Sequence, residues 1–216
     1  MVPCPFFHNP AMSTNTQYRQ RDDRPVDDQI VYLHDVSWDD YERLLTMRGD
    51  HSAPRISYLE GEVEIMSPSK THEEVKSLIG RLVETYCLER DIPFNTYGSW
   101  TLKSQDRSRG AEPDECWVFG DTPADRPHLA IEVVWTSGRI DKLDIYRKLG
   151  VAEIWYWRQG GIQPYCLRGE HYVPVTESEV LPGLNLELLT EFLDRPSTSD
   201  AIRGYRQALG SDDGTG

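Results

Sequence analysis

The chain has 216 residues and a formal net charge of −13, with 36 acidic side chains against 23 basic ones. That length suits one sizeable domain and is short for two. The acidic balance argues against a basic nucleic-acid coat protein, because phosphate binding normally needs a positive surface. It leaves open a metal-dependent enzyme that acts on phosphates, since bound ions themselves supply positive charge.

The cysteines and the apolar stretches indicate the expected compartment. The four cysteines are far apart and form no Cys-x-x-Cys pair, which argues against a zinc site and a dense disulfide framework. Reduced thiols are typical of cytosolic proteins. No stretch approaches the roughly 18 consecutive apolar residues of a membrane span, and the N-terminus lacks a signal-peptide layout. We therefore expect a cytoplasmic chain without a membrane partner.

The boundaries of the folded region follow from composition. Residues 1–28 mix Pro, Asn, Ser, Thr and charge without a helical or strand period, which predicts a disordered N-terminal tail. The chain shows no internal repeat and no convincing boundary after that point. We expect a single domain at 29–210 and a flexible C-terminal tail at 211–216.

The sequence of the first half of the domain predicts two helices separated by strands. Ser37 is a predicted N-cap, and the apolar stripe that follows it predicts a short helix ending at Gly49. The segment RISYLEGEVEIMSP alternates around Gly61 and predicts two strands or one bent hairpin. From His72, apolar residues at helical spacing predict a long helix that stops near Arg90.

The second half of the domain alternates strands with a helix. The strand candidates are PFNTYGSWTLK, ECWVFG, HLAIEVVW and EIWYW. The helix GRIDKLDIYRKLG, with Gly150 as its C-cap, connects the last two, so these two strands are expected to be parallel. A hairpin turned by Arg168-Gly169 and helices near 186–193 and 198–209 follow. The pattern predicts an α/β domain with one mixed sheet flanked by helices.

A carboxylate inside an apolar strand is the first functional signal. Glu132 lies in the middle of HLAIEVVW, where an unpaired charge would be costly. Asp114 follows Pro113, eighteen residues earlier, at the start of the preceding strand candidate. Consecutive strands with a short connection are usually neighbours, so both carboxylates can converge at one edge of the sheet. Two such acids are tolerated together when a hard cation such as Mg²⁺ or Mn²⁺ joins them.

Structural roles remain open for each of these residues. An Asp after Pro is often a turn residue or strand initiator, and a strand Glu can be paired with an interior Arg. Lys142, in the first turns of the following helix, can reach back towards the carboxylates or lie on the solvated surface. Lys148 is the weaker candidate, because six residues along a helix it points away from the face of Lys142.

Four segments in the right order resemble a known family. They are YLEGEVEIMSPSKTHEEV, AEPDECWVFG, HLAIEVVWTS and DKLDIYRKLGVAEIWYW. Together they are similar to the Uma2 family of endonucleases, long classed as a domain of unknown function, over roughly residues 38 to 175. That family belongs to the PD-(D/E)XK nuclease superfamily, so the resemblance implies a restriction-endonuclease-like fold.

The resemblance also implies roles for the residues that match its motifs. Asp114 matches the Asp of the PD element, and Glu132 matches the acidic residue of the second element. The superfamily's lysine normally stands two residues after that Glu, where this chain has Val134. Lys142 matches the position to which the lysine has moved in this family. The loop that joins Glu132 to the helix of Lys142 is shorter here than in many relatives.

Two further residues match the earlier motif of the family. Glu62 matches the Glu of its Gly-Glu pair and is expected to complete the ligand set directly or through water. His72 matches its helical His, which either lines the site or hydrogen-bonds to the backbone.

The activity that the resemblance implies is metal-dependent hydrolysis of phosphodiester bonds, with DNA as the expected partner. Asp114, Glu132 and the backbone carbonyl of Val133 would hold Mg²⁺ or Mn²⁺, and Lys142 would orient water or stabilise developing charge. A homodimer would suit cleavage of both strands. The alternatives are a nuclease-fold binding or assembly module without turnover, and a hydrolase of a smaller phosphate ester.

The remaining charged and aromatic residues allow a basic rim on an acidic molecule. Two segments that flank the predicted metal site carry this charge: WTLKSQDRSRG, with Lys103, Arg107 and Arg109, and GRIDKLDIYRK, with four more basic residues. Ordinary surface charge is an equal explanation for each of them. Five tryptophans lie in or near strands, which favours core positions over a base-stacking role: Trp100, Trp117, Trp135, Trp155 and Trp157.

Overall fold

A computed structural model describes residues 27–98, 100–135 and 139–212. The predicted tails at 1–28 and 211–216 therefore lie almost entirely outside the described residues, except that the last helix continues to Asp212. Within the described ranges, no helix is long and apolar enough to cross a membrane.

The described residues form eleven β-strands and five α-helices. The strands are β1 (Gln29–Leu33), β2 (Arg55–Leu59), β3 (Glu62–Ser67), β4 (Phe94–Thr96), β5 (Leu102–Ser104), β6 (Arg109–Ala111), β7 (Glu115–Phe119), β8 (Leu129–Val133), β9 (Glu153–Arg158), β10 (Gly161–Arg168) and β11 (His171–Pro174). The helices are α1 (Trp38–Arg48), α2 (Lys70–Glu89), α3 (Lys142–Leu149), α4 (Leu186–Glu191) and α5 (Thr198–Asp212).

The strands form two sheets where the sequence predicted one. The first sheet is antiparallel, in the order β1-β3-β2-β6-β5, and the second is mixed, in the order β11-β10-β9-β8-β7-β4. The segment PFNTYGSWTLK, predicted as one strand, divides between them as β4 and β5. Gly98 interrupts it with a φ of 53°, a conformation that glycine adopts at little cost. The α/β class with a mixed sheet flanked by helices is confirmed.

The strand pairing around β8 places the predicted site. β7 pairs with β8 antiparallel, and β8 pairs with β9 parallel through the helix α3, which confirms the predicted βαβ unit. All five residues of β8 are buried, as expected for an interior strand covered on both faces. Leu129, Ile131 and Val133 pack in the core beneath α2, α4 and α5, whereas Ala130 packs in the core with α3. Alternation along the strand therefore turns Glu132 towards α3.

Capping fixes where the helices begin. Ser37 accepts a hydrogen bond from the backbone of Asp40 and starts α1, and Gly49 ends it, both as predicted. Ser69 caps α2, so this helix begins at Lys70, two residues before the predicted start, and His72 lies in its first turn. Gly150 ends α3 in the left-handed conformation, as predicted.

A second buried carboxylate, Glu153, has a structural role. It is fully buried at the start of β9 and accepts hydrogen bonds from the backbone N–H groups of Glu179 at 2.8 Å and Val180 at 3.1 Å. The indole of Trp155 and the thiol of Cys166 also donate to it. These donors attach the loop before α4 to the second sheet, and they satisfy the carboxylate without a cation.

We expect Glu153→Gln to lower the free energy of unfolding by about 1–3 kcal/mol, because the amide nitrogen cannot accept the donors that face it. The exposed Glu177 in the same loop provides the matched control, and Glu177→Gln should change stability by less than about 0.5 kcal/mol. Urea unfolding followed by circular dichroism measures both. Equal losses in the two variants would contradict the assigned role of Glu153.

Candidate active site

Glu132 contacts two side chains from α3. The Lys142 ammonium lies 2.6 Å from Glu132 Oε2, and the Tyr146 hydroxyl donates a hydrogen bond to Oε1. Lys142 and Tyr146 are four residues apart and therefore lie on the same face of the helix, one turn from each other. The predicted reach of Lys142 back to Glu132 is thus present, while Lys148 lies at the surface and pairs with Glu170.

Glu64 on β3 brings the first sheet to the same lysine. This residue is 4% exposed, and its Oε1 lies 3.9 Å from Lys142 Nζ. Its Oε2 atom is buried and has no hydrogen-bond partner in the described part of the chain. Sequence reasoning missed Glu64, although its alternation with Glu62 along a strand was a usable signal.

The structure separates Glu62 from this group. Glu62 is exposed, and its carboxylate pairs at 2.5 Å with His34, which follows β1. It does not line the cleft into which Glu64, Glu132 and Lys142 face. Glu64, two residues further along the same strand, lies where the resemblance had placed Glu62.

Asp114 lies directly before β7, the neighbour of β8, and is held by backbone and side chains. Its N–H donates to the carbonyl of Ile131 at 3.1 Å, and its Oδ2 accepts the N–H of Val133 at 2.7 Å. The side chain is completely buried. These bonds fix the carboxylate beside Val133 at the end of β8, the residue that follows Glu132 in sequence.

Two cations from distant elements surround the Asp114 carboxylate. Arg55 Nη1 of β2 lies 2.9 Å from Oδ1, and His72 Nε2 of α2 lies 2.9 Å from Oδ2. Burial by itself would raise the pKa of Asp114, but Arg55 and then His72 outweigh it and hold that pKa below its ordinary value. The interior arginine that the sequence left open for Glu132 is found at Asp114 instead.

His72 bridges two carboxylates. Its Nδ1 lies 2.9 Å from Asp28 Oδ2, and its Nε2 lies 2.9 Å from Asp114 Oδ2. Two carboxylates that face the two ring nitrogens favour the doubly protonated, charged imidazole, because an ionised carboxylate offers no proton of its own. Burial would lower the pKa of His72, but Asp114 and Asp28 outweigh it and raise the pKa to about 9. The sequence left two roles open for His72. Its ring contacts Asp114 of the site, and among the described residues it forms no hydrogen bond to the backbone.

The contact with Glu132 keeps Lys142 in its charged form. Desolvation would lower the pKa of Lys142, but the carboxylates of Glu132, Asp114 and Glu64 raise it above its ordinary value. Burial raises the pKa of Glu132, and Lys142 opposes that shift. The ammonium therefore remains protonated at neutral pH and supplies a fixed positive charge beside the carboxylates.

A cleft of about 350 Å³ opens onto these residues. The buried side chains of Glu64, Glu132 and Lys142 form its floor. Its rim carries four exposed residues: Trp135, Arg139, Asp141 and Arg158.

The chemistry of the floor suits a hard divalent cation. Carboxylate oxygens are the preferred ligands of Mg²⁺ and Mn²⁺, and the partnerless Glu64 Oε2 is an acceptor that an ion would satisfy. In the described ranges, however, no group of three or more His, Cys, Asp or Glu is arranged as a metal site. The cations of the chain itself, Arg55, His72 and Lys142, neutralise Asp114 and Glu132 in this structure.

Only part of the basic rim suggested by the sequence lies at the cleft. Arg109 is only 6% exposed and pairs with Asp144 and Glu60, so it supports the fold rather than the rim. Lys103 pairs with Glu42 of α1, and Arg107 donates to the backbone of Lys148. Positive charge at the rim comes from Arg139, one of the four basic residues of the predicted helix segment, and from Arg158, which the sequence analysis did not single out.

We expect the stabilising effect of His72 to depend on pH in metal-free buffer. Because its pKa rises from 6.5 to about 9, its stabilisation is complete below pH 6.5 and is lost as the pH rises through 9. His72→Gln should therefore lower the free energy of unfolding by roughly 3 kcal/mol at pH 6, and by much less at pH 10. Urea unfolding at both pH values measures this, with the exposed His171→Gln as control. The same deficit at both pH values would show that His72 acts only through packing.

Comparison with known proteins places the chain in a family. No curated protein matches it. A solved structure described as a "putative nuclease belonging to DUF820 from Anabaena variabilis ATCC 29413" is 13% identical and covers 74% of this chain and 96% of its own, with a TM-score of 0.45. Residues 38–194 match the model of the Uma2 family, described as "Putative restriction endonuclease". That match spans well over half of the chain, which therefore belongs to the Uma2 family.

Proposed function

We propose that this chain is a metal-dependent endonuclease that hydrolyses phosphodiester bonds of nucleic acid, with DNA as its substrate. The observation that carries the proposal is the floor of the cleft. There a protonated lysine lies 2.6 Å from Glu132 and 3.9 Å from Glu64, both buried. Membership of a family described as restriction endonucleases supports the same chemistry.

The proposed ligands of Mg²⁺ or Mn²⁺ are Asp114, Glu132 and the backbone carbonyl of Val133. Glu64 joins this set in place of Glu62, because its carboxylate is buried at the cleft and its Oε2 atom has no hydrogen-bond partner among the described residues. A bound divalent ion would lower the pKa of a coordinated water and offset the charge that grows on the phosphate.

Lys142 contributes a positive charge that needs no reorganisation. Its ammonium is held by Glu132, and its pKa is raised, so it stays protonated while a phosphate enters. A cation that is already fixed where negative charge develops, in a site that excludes water, stabilises the transition state more strongly than the same cation in water would. Lys142 can also donate a hydrogen bond that orients the attacking water.

Arg55 and His72 keep Asp114 ionised and in place. Their ion pairs, together with the N–H of Val133, use both carboxylate oxygens and fix the rotamer of the side chain. Such support around a site residue preserves its geometry when substrate binds.

The same contacts favour a second candidate function, a nucleic-acid-binding module without turnover. If Arg55 and His72 remain on Asp114, that carboxylate is already neutralised by the protein and does not need an ion. The fold would then present the cleft for binding alone.

Cleavage assays on variants of the lysine test the enzyme. We expect Lys142→Met to reduce Mg²⁺-dependent cleavage of DNA by roughly 10²-fold or more, because it removes a fixed charge at the reaction centre. Lys148→Met, in the same helix but at the surface and paired with Glu170, is the matched control and should cleave like the wild type.

Calorimetry separates the two candidates. The endonuclease requires that Mg²⁺ or Mn²⁺ binds the wild type and binds Glu132→Gln at least ten-fold more weakly. Nucleic acid bound by the wild type without cleavage in either ion would identify the binding module. Cleavage by Lys142→Met at the wild-type rate would refute the role given to that residue.

A further inference from the structure

Trp135 is an exposed indole beside a buried catalytic floor. It is 45% exposed and lies three residues after Glu132, at the rim of the cleft. Its ring packs edge-to-face against the buried Trp157, with centroids 4.7 Å apart. Trp117 and Trp155 are fully buried in the core, as the sequence predicted for most tryptophans. Trp135 departs from that prediction, because one neighbour orients its ring while nearly half of the residue stays accessible.

Two arginines share this rim and have no carboxylate partner among the residues that the structure describes. The guanidinium of Arg139 lies 5.3 Å from the ring centroid of Tyr32, and that of Arg158 lies 4.8 Å from the centroid of Tyr156. Within the described ranges, neither forms an ion pair with an Asp or Glu, although the chain has 36 acidic against 23 basic residues. Stacking on tyrosine positions each guanidinium and leaves its N–H donors free for an anion.

The rim therefore combines an accessible aromatic ring with two arginines that form no ion pair within the described ranges, beside one exposed acid, Asp141. Proteins that bind single-stranded nucleic acid use this combination, stacking bases on aromatic side chains while cations contact the adjoining phosphates. A cleft of about 350 Å³ is within the size range of small-ligand sites, roughly 300–1,000 Å³, and so can accept one nucleotide rather than a duplex.

We propose that the cleft binds a single-stranded segment of nucleic acid, with one unpaired base stacked on Trp135 and the adjoining phosphates on Arg139 and Arg158. The orientation of the bound strand rests on the proposed function, in which a phosphate of that strand faces Lys142. In a duplex, each base is already stacked and paired, so an enzyme must extract it before an indole can stack on it. The net charge of −13 also disfavours a broad electrostatic contact with duplex backbones.

Fluorescence anisotropy with labelled oligothymidylate, oligouridylate and a DNA duplex of equal length tests the proposal. The buffer contains EDTA, so binding is measured without cleavage. We expect the wild type to bind a single strand at least ten-fold more tightly than the duplex. Preference between the two single strands distinguishes a DNA from an RNA ligand, and either result supports the site.

Substitution of the indole tests the stacking contact. Trp135→Ala should weaken single-strand binding by roughly 5- to 150-fold, while Trp135→Phe, which keeps an aromatic ring, should retain most of it. Tyr97→Ala is the matched control, because Tyr97 is 48% exposed but lies outside the cleft, and its binding should equal that of the wild type. Circular dichroism verifies that each variant is folded.

Substitution of the arginines tests the phosphate contacts. Arg139→Gln and Arg158→Gln should each reduce the slope of log Kd against log salt by about 0.7, the value for one phosphate of a single strand. Arg203→Gln, an exposed arginine of α5, should leave the slope unchanged.

The outcomes separate this inference from the proposed function. Single-strand binding that requires Trp135, without cleavage in any metal, would support the cleft as a binding site and reject the endonuclease. Duplex binding as tight as single-strand binding, or wild-type binding by Trp135→Ala, would overturn the inference. Metal-dependent cleavage could then still stand through Lys142.

Discussion

The buried pair between Lys142 and Glu132 is the interaction on which the candidate site depends. It joins α3 to β8 within one βαβ unit, and the same ammonium reaches Glu64 on the other sheet. Burial of two charges costs several kcal/mol for each ion, which their mutual attraction offsets only with good geometry and further hydrogen bonds. Tyr146 supplies such a bond to Glu132. The two sheets therefore meet at Lys142, whose charge balances Glu132 of one sheet and Glu64 of the other, and these residues line the cleft.

The second buried cluster balances Asp114 in a different way. Arg55 belongs to β2 and His72 to α2, so their ion pairs with Asp114 connect the first sheet and the long helix to the start of β7. Ion pairs of this kind are weak evidence for stability, since apolar side chains of the same volume often stabilise a fold as well. Their concentration beside a cleft is a recognised signature of functional sites. Glu153 on β9 is the contrasting case. It is as buried as Asp114 but accepts hydrogen bonds from backbone N–H groups, an indole and a thiol.

Local sequence predicted most elements because short-range physics decides them. The caps at Ser37, Gly49 and Gly150 and the apolar run of β8 lie where expected, since they depend on hydrogen bonds and burial within a few residues. The division of the strands into two sheets was not predicted. A strand of three residues, such as β4, β5 or β6, carries too few side chains to show its period or its partner.

The sequence by itself predicted that Asp114 and Glu132 can converge at one edge of the sheet, because short connections keep consecutive strands adjacent. Lys142 was added to them by the family resemblance, since its place in the following helix also allowed a position on the solvated surface. Only the tertiary structure decided what surrounds them. Glu64, Arg55 and His72 reach the site through contacts between residues distant in the chain, and no local pattern specifies which buried charge meets which. The tertiary structure also left Trp135 exposed at the rim, because exposure at the end of a buried strand depends on what the rest of the chain covers.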